Sequence, residues 1–200
     1  MEWCYKWFMI KNILINKCKK CKPEINLKVQ RVEANVWYDL NFANHHYLTE
    51  KLNKSCKCFL FTWDDVPVAF VGILNTPSKG RPFNMAISRI VILPEFQGIG
   101  LSSKILNFCG GIVKACGEEY NLYIKTIHEK MGEGLERNSL WNPTGYNGKL
   151  RKDSNDVSGK YKKRLQRASY CYRYDGEPLY GYEEIMKPIS DLRKIKREIN

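Results

Sequence analysis

The stretch from Met85 to Gly117 constrains this chain more than any other part of it. Met85 to Leu93 reads as a strongly apolar strand closed by Pro94, and Glu95 to Gly98 reads as a turn. A helix is predicted from about Ile99 to Gly117, with Ile105, Leu106, Cys109, Ile112, Val113 and Cys116 recurring at helical spacing. A strand that turns through Gly98 and Gly100 into a helix can hold an anion. The first helical turn presents unpaired backbone N–H groups and the positive end of the dipole. Glycine lets that backbone approach a phosphate, and Lys104 adds charge nearby. A plain tight turn would use the same two glycines. Gly110 and Gly111, inside the helix, each cost about 1 kcal/mol relative to alanine, so a closely packed neighbour is expected there.

Two familiar phosphate motifs are excluded. No third glycine completes Gly-x-Gly-x-x-Gly, and no Gly-Lys-Ser/Thr ending marks a P-loop.

The surrounding segments supply the rest of an α/β architecture. Ile25 to Glu33 alternates as a half-buried strand, and Ala34 to about Leu48 suits a helix through Val36, Trp37, Leu40, Phe42, Ala43 and Tyr47. Cys56 to Trp63 and Val66 to Leu74 flank Asp64-Asp65 as a hairpin, and Tyr120 to Ile127 is a further strand. A short helix is expected near Gly134 to Trp141, a late strand over Ala168 to Tyr174, and an amphipathic helix over Pro188 to Asn200. The order is β-α-β-β-β-α-β followed by a mixed tail.

The segment Ile90-Val91-Ile92-Leu93-Pro94-Glu95-Phe96-Gln97-Gly98-Ile99-Gly100-Leu101-Ser102 resembles motif A of the GNAT acyltransferases. That motif is a hydrophobic strand, Pro, an acidic residue, an aromatic, then Gln/Arg-x-x-Gly-x-Gly/Ala. Ser102 departs from the final Gly or Ala, but it is small enough to preserve the backbone approach. The element order agrees with that family over about residues 25–130. The resemblance implies a GNAT-type mixed, largely antiparallel twisted sheet flanked by helices. It implies acetyl-CoA as cofactor, with its pantetheine arm along Ile90, Val91 and Ile92. Its pyrophosphate would lie on the amides of Gln97, Gly98, Ile99, Gly100, Leu101 and Ser102, with Ser103 and Lys104. It also implies direct attack of an amine on the thioester, with a base near the nucleophile and an acid near the leaving thiolate.

Family members often use a Glu as base and a Tyr as acid. Tyr146, after Gly145, is the candidate acid, although an aromatic at that place usually packs; Asn138 or Ser139 would instead touch the CoA arm. His128-Glu129 falls at the end of the fifth strand of that order, where a histidine beside a carboxylate can be tuned near neutral pH. In Asn44-His45-His46-Tyr47-Leu48, His46 and Tyr47 are candidates to contact the acceptor or move its proton; a packed, hydrogen-bonded histidine is the alternative. His-Tyr here, Ser88-Arg89 leading the strand, and Trp141 before Gly145-Tyr146 resemble the phage Mom-like branch, which modifies adenine in DNA.

Charge bears on that acceptor. The net charge is +12, large for 200 residues, and attracts phosphate-rich partners. Lys149, Arg151, Lys152, Lys160, Lys162, Lys163, Arg164 and Arg167 make a basic stretch suited to DNA or RNA, or simply a solvated loop. A nucleic-acid-binding module without catalysis is a further alternative. The expected division is a basic, Cys-containing extension over 1–24, the acyltransferase domain over 25–180 with its basic loop at about 147–167, and a helical tail over 181–200.

No apolar run reaches the roughly 18 residues of a membrane span. Lys6 and Lys11 interrupt the apolar N-terminus, so no signal peptide is read and a cytoplasmic protein is expected. Of eight cysteines, Cys109 and Cys116 are expected in the core. Cys18, Cys21, Cys56 and Cys58 are expected as free thiols, with structural zinc as the alternative.

Overall fold

The computed structural model describes residues 10–15, 25–46, 50–149 and 168–187. Its frame is an eight-stranded sheet in the order β1-β2-β3-β4-β5-β6-β8-β7. The strands are β1 (Ile10–Ile15), β2 (Ile25–Val32), β3 (Lys57–Trp63), β4 (Val66–Asn75), β5 (Asn84–Ile92), β6 (Asn121–Thr126), β7 (Trp141–Pro143) and β8 (Tyr170–Tyr174). Every adjacent pair is antiparallel except β5 with β6. That parallel pair requires a crossover, and α2 (Leu101–Lys114) supplies it.

Alternation along the strands builds two apolar layers. Leu27, Val29, Phe59, Phe61, Val71 and Ile87 face α2, meeting Ile105, Cys109, Ile112 and Val113. Val32, Cys58, Leu60, Phe70 and Val91 face the opposite side, where α1 (Val36–Asp39) brings Trp37 and a following 3-10 turn brings Phe42. Trp37 and Phe42 stack on Phe70 at centroid distances of 5.1 and 5.6 Å.

The two mid-helix glycines of α2 have the close neighbour expected of them. A Cβ on Gly110 would lie 2.2–2.6 Å from the Tyr174 ring of β8. One on Gly111 would meet Leu179 at 2.8 Å, and the Leu179 N–H bonds the Gly111 carbonyl at 2.9 Å. The bare backbone of α2 lets β8 and its following segment close over the helix.

Several boundaries differ from the sequence reading. The helix expected over 34–48 is two short pieces, broken at Asn41, whose φ is +60°. The short helix expected near 134–141 is α3, Glu129–Glu136, because His128 caps its start and Trp141 is drawn into the β7 pairing. Residues 10–15, grouped with an extension, pair with β2 from Ile10↔Gln30 to Ile15↔Ile25. Ile185 and Met186, grouped with a tail, are buried in the layer against α2. The expected helix over 188–200 lies outside the described residues.

Candidate active site

The site originates in a disagreement between two strand pairings. β5 pairs with β6 only from Asn84↔Asn121 to Ile87↔Ile124, yet it pairs with β4 as far as Ile92. An extra residue, Ser88, sits opposite the step between Gly72 and Ile73, since Gly72 faces Arg89 and Ile73 faces Ile87. This bulge bends β5 away from β6. From Ser88 to Ile92 the β6-facing edge of β5 therefore has no strand partner, and a cleft of about 540 Å³ opens between the two strands. Ile87 to Ile92 form one wall of it, and Ile124, Lys125 and Thr126 form the other.

The turn that follows forms the mouth. Gln97 closes it locally: its side-chain amide donates to the Ile92 carbonyl at 2.8 Å, and its backbone N–H reaches Pro94 at 3.2 Å. Gly98 and Gly100 have φ of +82° and +85°, a conformation open to glycine, and a Cβ on either would enter open space. Gly100 is the N-cap of α2 and no side chain caps the helix, so its first amides point outward without an intrahelical partner. The mouth is an anion cradle of backbone.

Of the residues assigned to the cofactor from sequence, Ile90, Val91, Ile92, Gln97, Gly98, Gly100, Leu101 and Ser102 line this cleft. Ile99, Ser103 and Lys104 do not. Ile99 is exposed at 41%, and the Ser103 hydroxyl accepts from the Asn138 side chain at 3.1 Å. Asn138 also donates to Asn107 at 2.8 Å, and Asn107 accepts from the Trp141 indole at 2.9 Å. These bonds tie the end of α3 to α2, so Asn138 braces the cradle from behind.

The chain's three histidines, the adjacent pair His45 and His46 and the distant His128, all line the one cleft. His45 and His46 come from the 3-10 turn, with the His46 ring edge-on to Trp37 at 5.8 Å. His128 caps α3, its Nδ1 accepting the Met131 N–H at 3.3 Å. A neutral His128 thus carries its proton on Nε2. Tyr146 is outside the cleft lining, 76% exposed, with Lys149 5.9 Å above its ring. Tyr47 and the basic residues Arg151, Lys152, Lys160, Lys162, Lys163, Arg164 and Arg167 lie outside the described residues.

Sequence reasoning did not single out Lys125, Lys130, Met131 and Arg137, which also line the cleft beside Phe96, the aromatic of the motif A segment. Each falls at the end of a strand or on a short helix, with no local pattern to mark it. Cys56 and Cys58 are buried in the layer beneath α1, and burial pushes the Cys58 thiol up to about 12. Cys18 and Cys21 lie outside the described residues. Among the described residues, no His, Cys, Asp or Glu group could hold a metal ion, and no helix is long and apolar enough to cross a membrane.

A cleft with a free strand edge along its wall and an amide cradle at its mouth accepts an extended ligand that ends in phosphate. That combination defines the donor side of an acyltransferase working from a coenzyme A thioester. The profile of the acetyltransferase (GNAT) family matches residues 23–131, and the chain belongs to that family. Its cofactor is acetyl-CoA, which this cleft fits by the open space over Gly98 and Gly100 and by the unpaired edge of β5.

Solved structures share the fold. Naa50 of Arabidopsis thaliana, in complex with the bisubstrate analogue CoA-Ac-MVNAL, is 13% identical with a TM-score of 0.52, covering 75% of this chain and 99% of its own. The ribosomal-protein-S18-alanine N-acetyltransferase of Escherichia coli is 12% identical with a TM-score of 0.51, over 77% of this chain and 99% of its own. A GNAT family acetyltransferase of Elizabethkingia anophelis with acetyl-CoA bound is 17% identical at 0.51, over 75% and 98%. No curated protein matches the chain by sequence.

Proposed function

We propose that this GNAT acyltransferase is an N-acetyltransferase whose acceptor amine is carried on a nucleic-acid base. The observation that supports this reading is the charge of the cleft. Its lining contains Arg89, Lys125, Lys130, Arg137 and three histidines, and among the described lining residues no carboxylate. A polyamine or lysine-rich acceptor would find no counter-charge among these residues, whereas a polyanion would. The chain's charge of +12 acts in the same direction.

The histidines of the lining fit the chemistry. An alkylammonium acceptor arrives charged and must lose a proton before it can attack. The exocyclic amine of a nucleic-acid base is uncharged at neutral pH, and needs a proton acceptor only as the new N–C bond forms. His45 or His46 would take that proton. As the acetyl C–S bond breaks, His128, with its proton on Nε2, would donate toward the departing CoA thiolate. The cofactor supplies an electrophilic thioester. Ser88 to Ile92 would align it along the free strand edge, and Gly98 to Ser102 would hold its phosphates.

Incubating the protein with radiolabelled acetyl-CoA and single-stranded DNA, duplex DNA, RNA, spermidine or a peptide tests this. Nucleoside mass spectrometry is expected to find an acetylated base; label in spermidine or peptide alone contradicts the reading. Neutralising Lys125 and Lys130 together to Gln is expected to lower the salt slope of DNA binding by about 2, at roughly 0.9 per phosphate contact.

A further inference from the structure

Beside the cleft lies a second cavity of about 950 Å³, lined by Glu33, Tyr38, Lys51, Leu52, Asn53 and Lys54 among others. The two share a wall, since Ser88 and Arg89 line both. Residues 50–52, on the outer wall, are held in an unusual way. Three consecutive backbone groups are each captured by a side chain from elsewhere. The Trp37 indole donates to the Glu50 carbonyl at 2.5 Å, Arg89 Nη2 donates to the Lys51 carbonyl at 2.8 Å, and the Leu52 N–H donates to the Tyr38 hydroxyl at 3.1 Å. Trp37 and Tyr38 both belong to α1, whereas Arg89 reaches this segment from β5.

Arg89 also fixes its own strand. Its Nη1 donates to the Ser88 carbonyl at 2.7 Å, at the bulge where β5 leaves β6, while its buried Nε has no partner among the described residues. One planar guanidinium therefore joins the point where the donor cleft opens to the segment that walls the outer cavity. A lysine in its place has one nitrogen and no rigid fork, and cannot bond both carbonyls in this geometry.

We infer that Arg89 is a positioning residue for the acceptor: it sets residues 50–52 at a fixed distance from the β5 bulge, so that the outer cavity holds the part of the acceptor beyond its reacting amine. The choice of a nucleic-acid acceptor rests on the function proposed above; the positioning role does not. The arrangement predicts that loss of the fork blurs the acceptor side while the cradle for the donor, built on Gly98 to Ser102, stays intact.

The test uses the full chain with Arg89→Met and Arg89→Lys. Hydrogen exchange of the backbone over residues 50–56 is expected to speed up in both variants, while the first turn of α2 exchanges as in wild type. With a DNA oligonucleotide as acceptor, KM for DNA is expected to rise about 10-fold or more in both, since a misplacement near 1 Å costs up to 100-fold. Acetyl-CoA Kd, by calorimetry, is expected to rise less than KM for DNA. Recovery of wild-type exchange and KM by Arg89→Lys would show that charge alone suffices, and would overturn the inference. So would unchanged exchange over 50–56 in Arg89→Met. If wild type acetylates no nucleic acid, the proposed acceptor is wrong, and hydrogen exchange still decides the role of Arg89.

Discussion

The proposed donor and acceptor halves of the cleft are built from different materials. The donor half is backbone: the free edge of β5 from Ser88 to Ile92 and the amides presented by Gly98, Gly100 and the first turn of α2. The acceptor half is side chains on irregular segments: His45 and His46 on a 3-10 turn, His128 at a helix cap, and residues 50–52 hung from Trp37, Tyr38 and Arg89. A backbone site depends on φ, pairing and space, which few substitutions besides those at glycine disturb. A side-chain site depends on each residue separately. The halves should therefore fail differently under mutation.

Gly100→Glu should have the largest effect on this contrast. It forces a side chain into φ +85° and puts a carboxylate in the cradle. Left-handed strain of about 1–2 kcal/mol and like-charge repulsion together predict loss of acetyl-CoA affinity on the order of 100-fold, measured by calorimetry. Unchanged affinity would break the backbone half of the comparison.

His128→Asn probes the other half. Asparagine still caps α3, so stability should change by less than about 1 kcal/mol, whereas turnover should fall on the order of 100-fold if the imidazole moves a proton. Thermal unfolding and single-turnover rates separate the two. Equal turnover in the variant would remove His128 from the chemistry.

Gly110→Ala tests what holds α2 behind the cradle. The new methyl lies within 2.6 Å of the Tyr174 ring, so a loss of about 1–3 kcal/mol is expected in urea denaturation.

The smallest expected change is none at all. Cys58 is buried beneath α1, and its raised pKa, about 12, means that the thiol holds its proton until well above neutral pH. In the folded protein at pH 8 it should resist iodoacetamide, and react once the chain is unfolded. Rapid labelling in the native state would show that the layer under the acceptor half opens easily.

The same contrast explains what the sequence discloses. Pro94, Gly98, Gly100 and the spacing of Ile105, Cys109 and Ile112 are local signals, so the strand, turn, helix and cradle could be read directly from them. Gly110 and Gly111 announced a neighbour without naming it; only the fold shows that it is Tyr174 and Leu179. The bulge at Ser88 leaves no mark in composition, because it is defined by the register of β5 against β4. Lys125, Lys130 and Arg137 look like ordinary surface charges until the splay of the strands brings them to the cleft. Tyr146, placed by its neighbours Gly145 and Trp141, stands outside the cleft lining, since Trp141 packs inward against Tyr174 at 5.4 Å and the turn after it faces solvent.

Calorimetric titration of acetyl-CoA into the wild-type protein tests the central claim most directly. The account predicts saturable binding of one cofactor per chain, weakened on the order of 100-fold by Gly100→Glu and retained by Arg89→Met. A folded wild-type protein that binds no acetyl-CoA, or a Gly100→Glu variant that binds it as well as wild type, would contradict it.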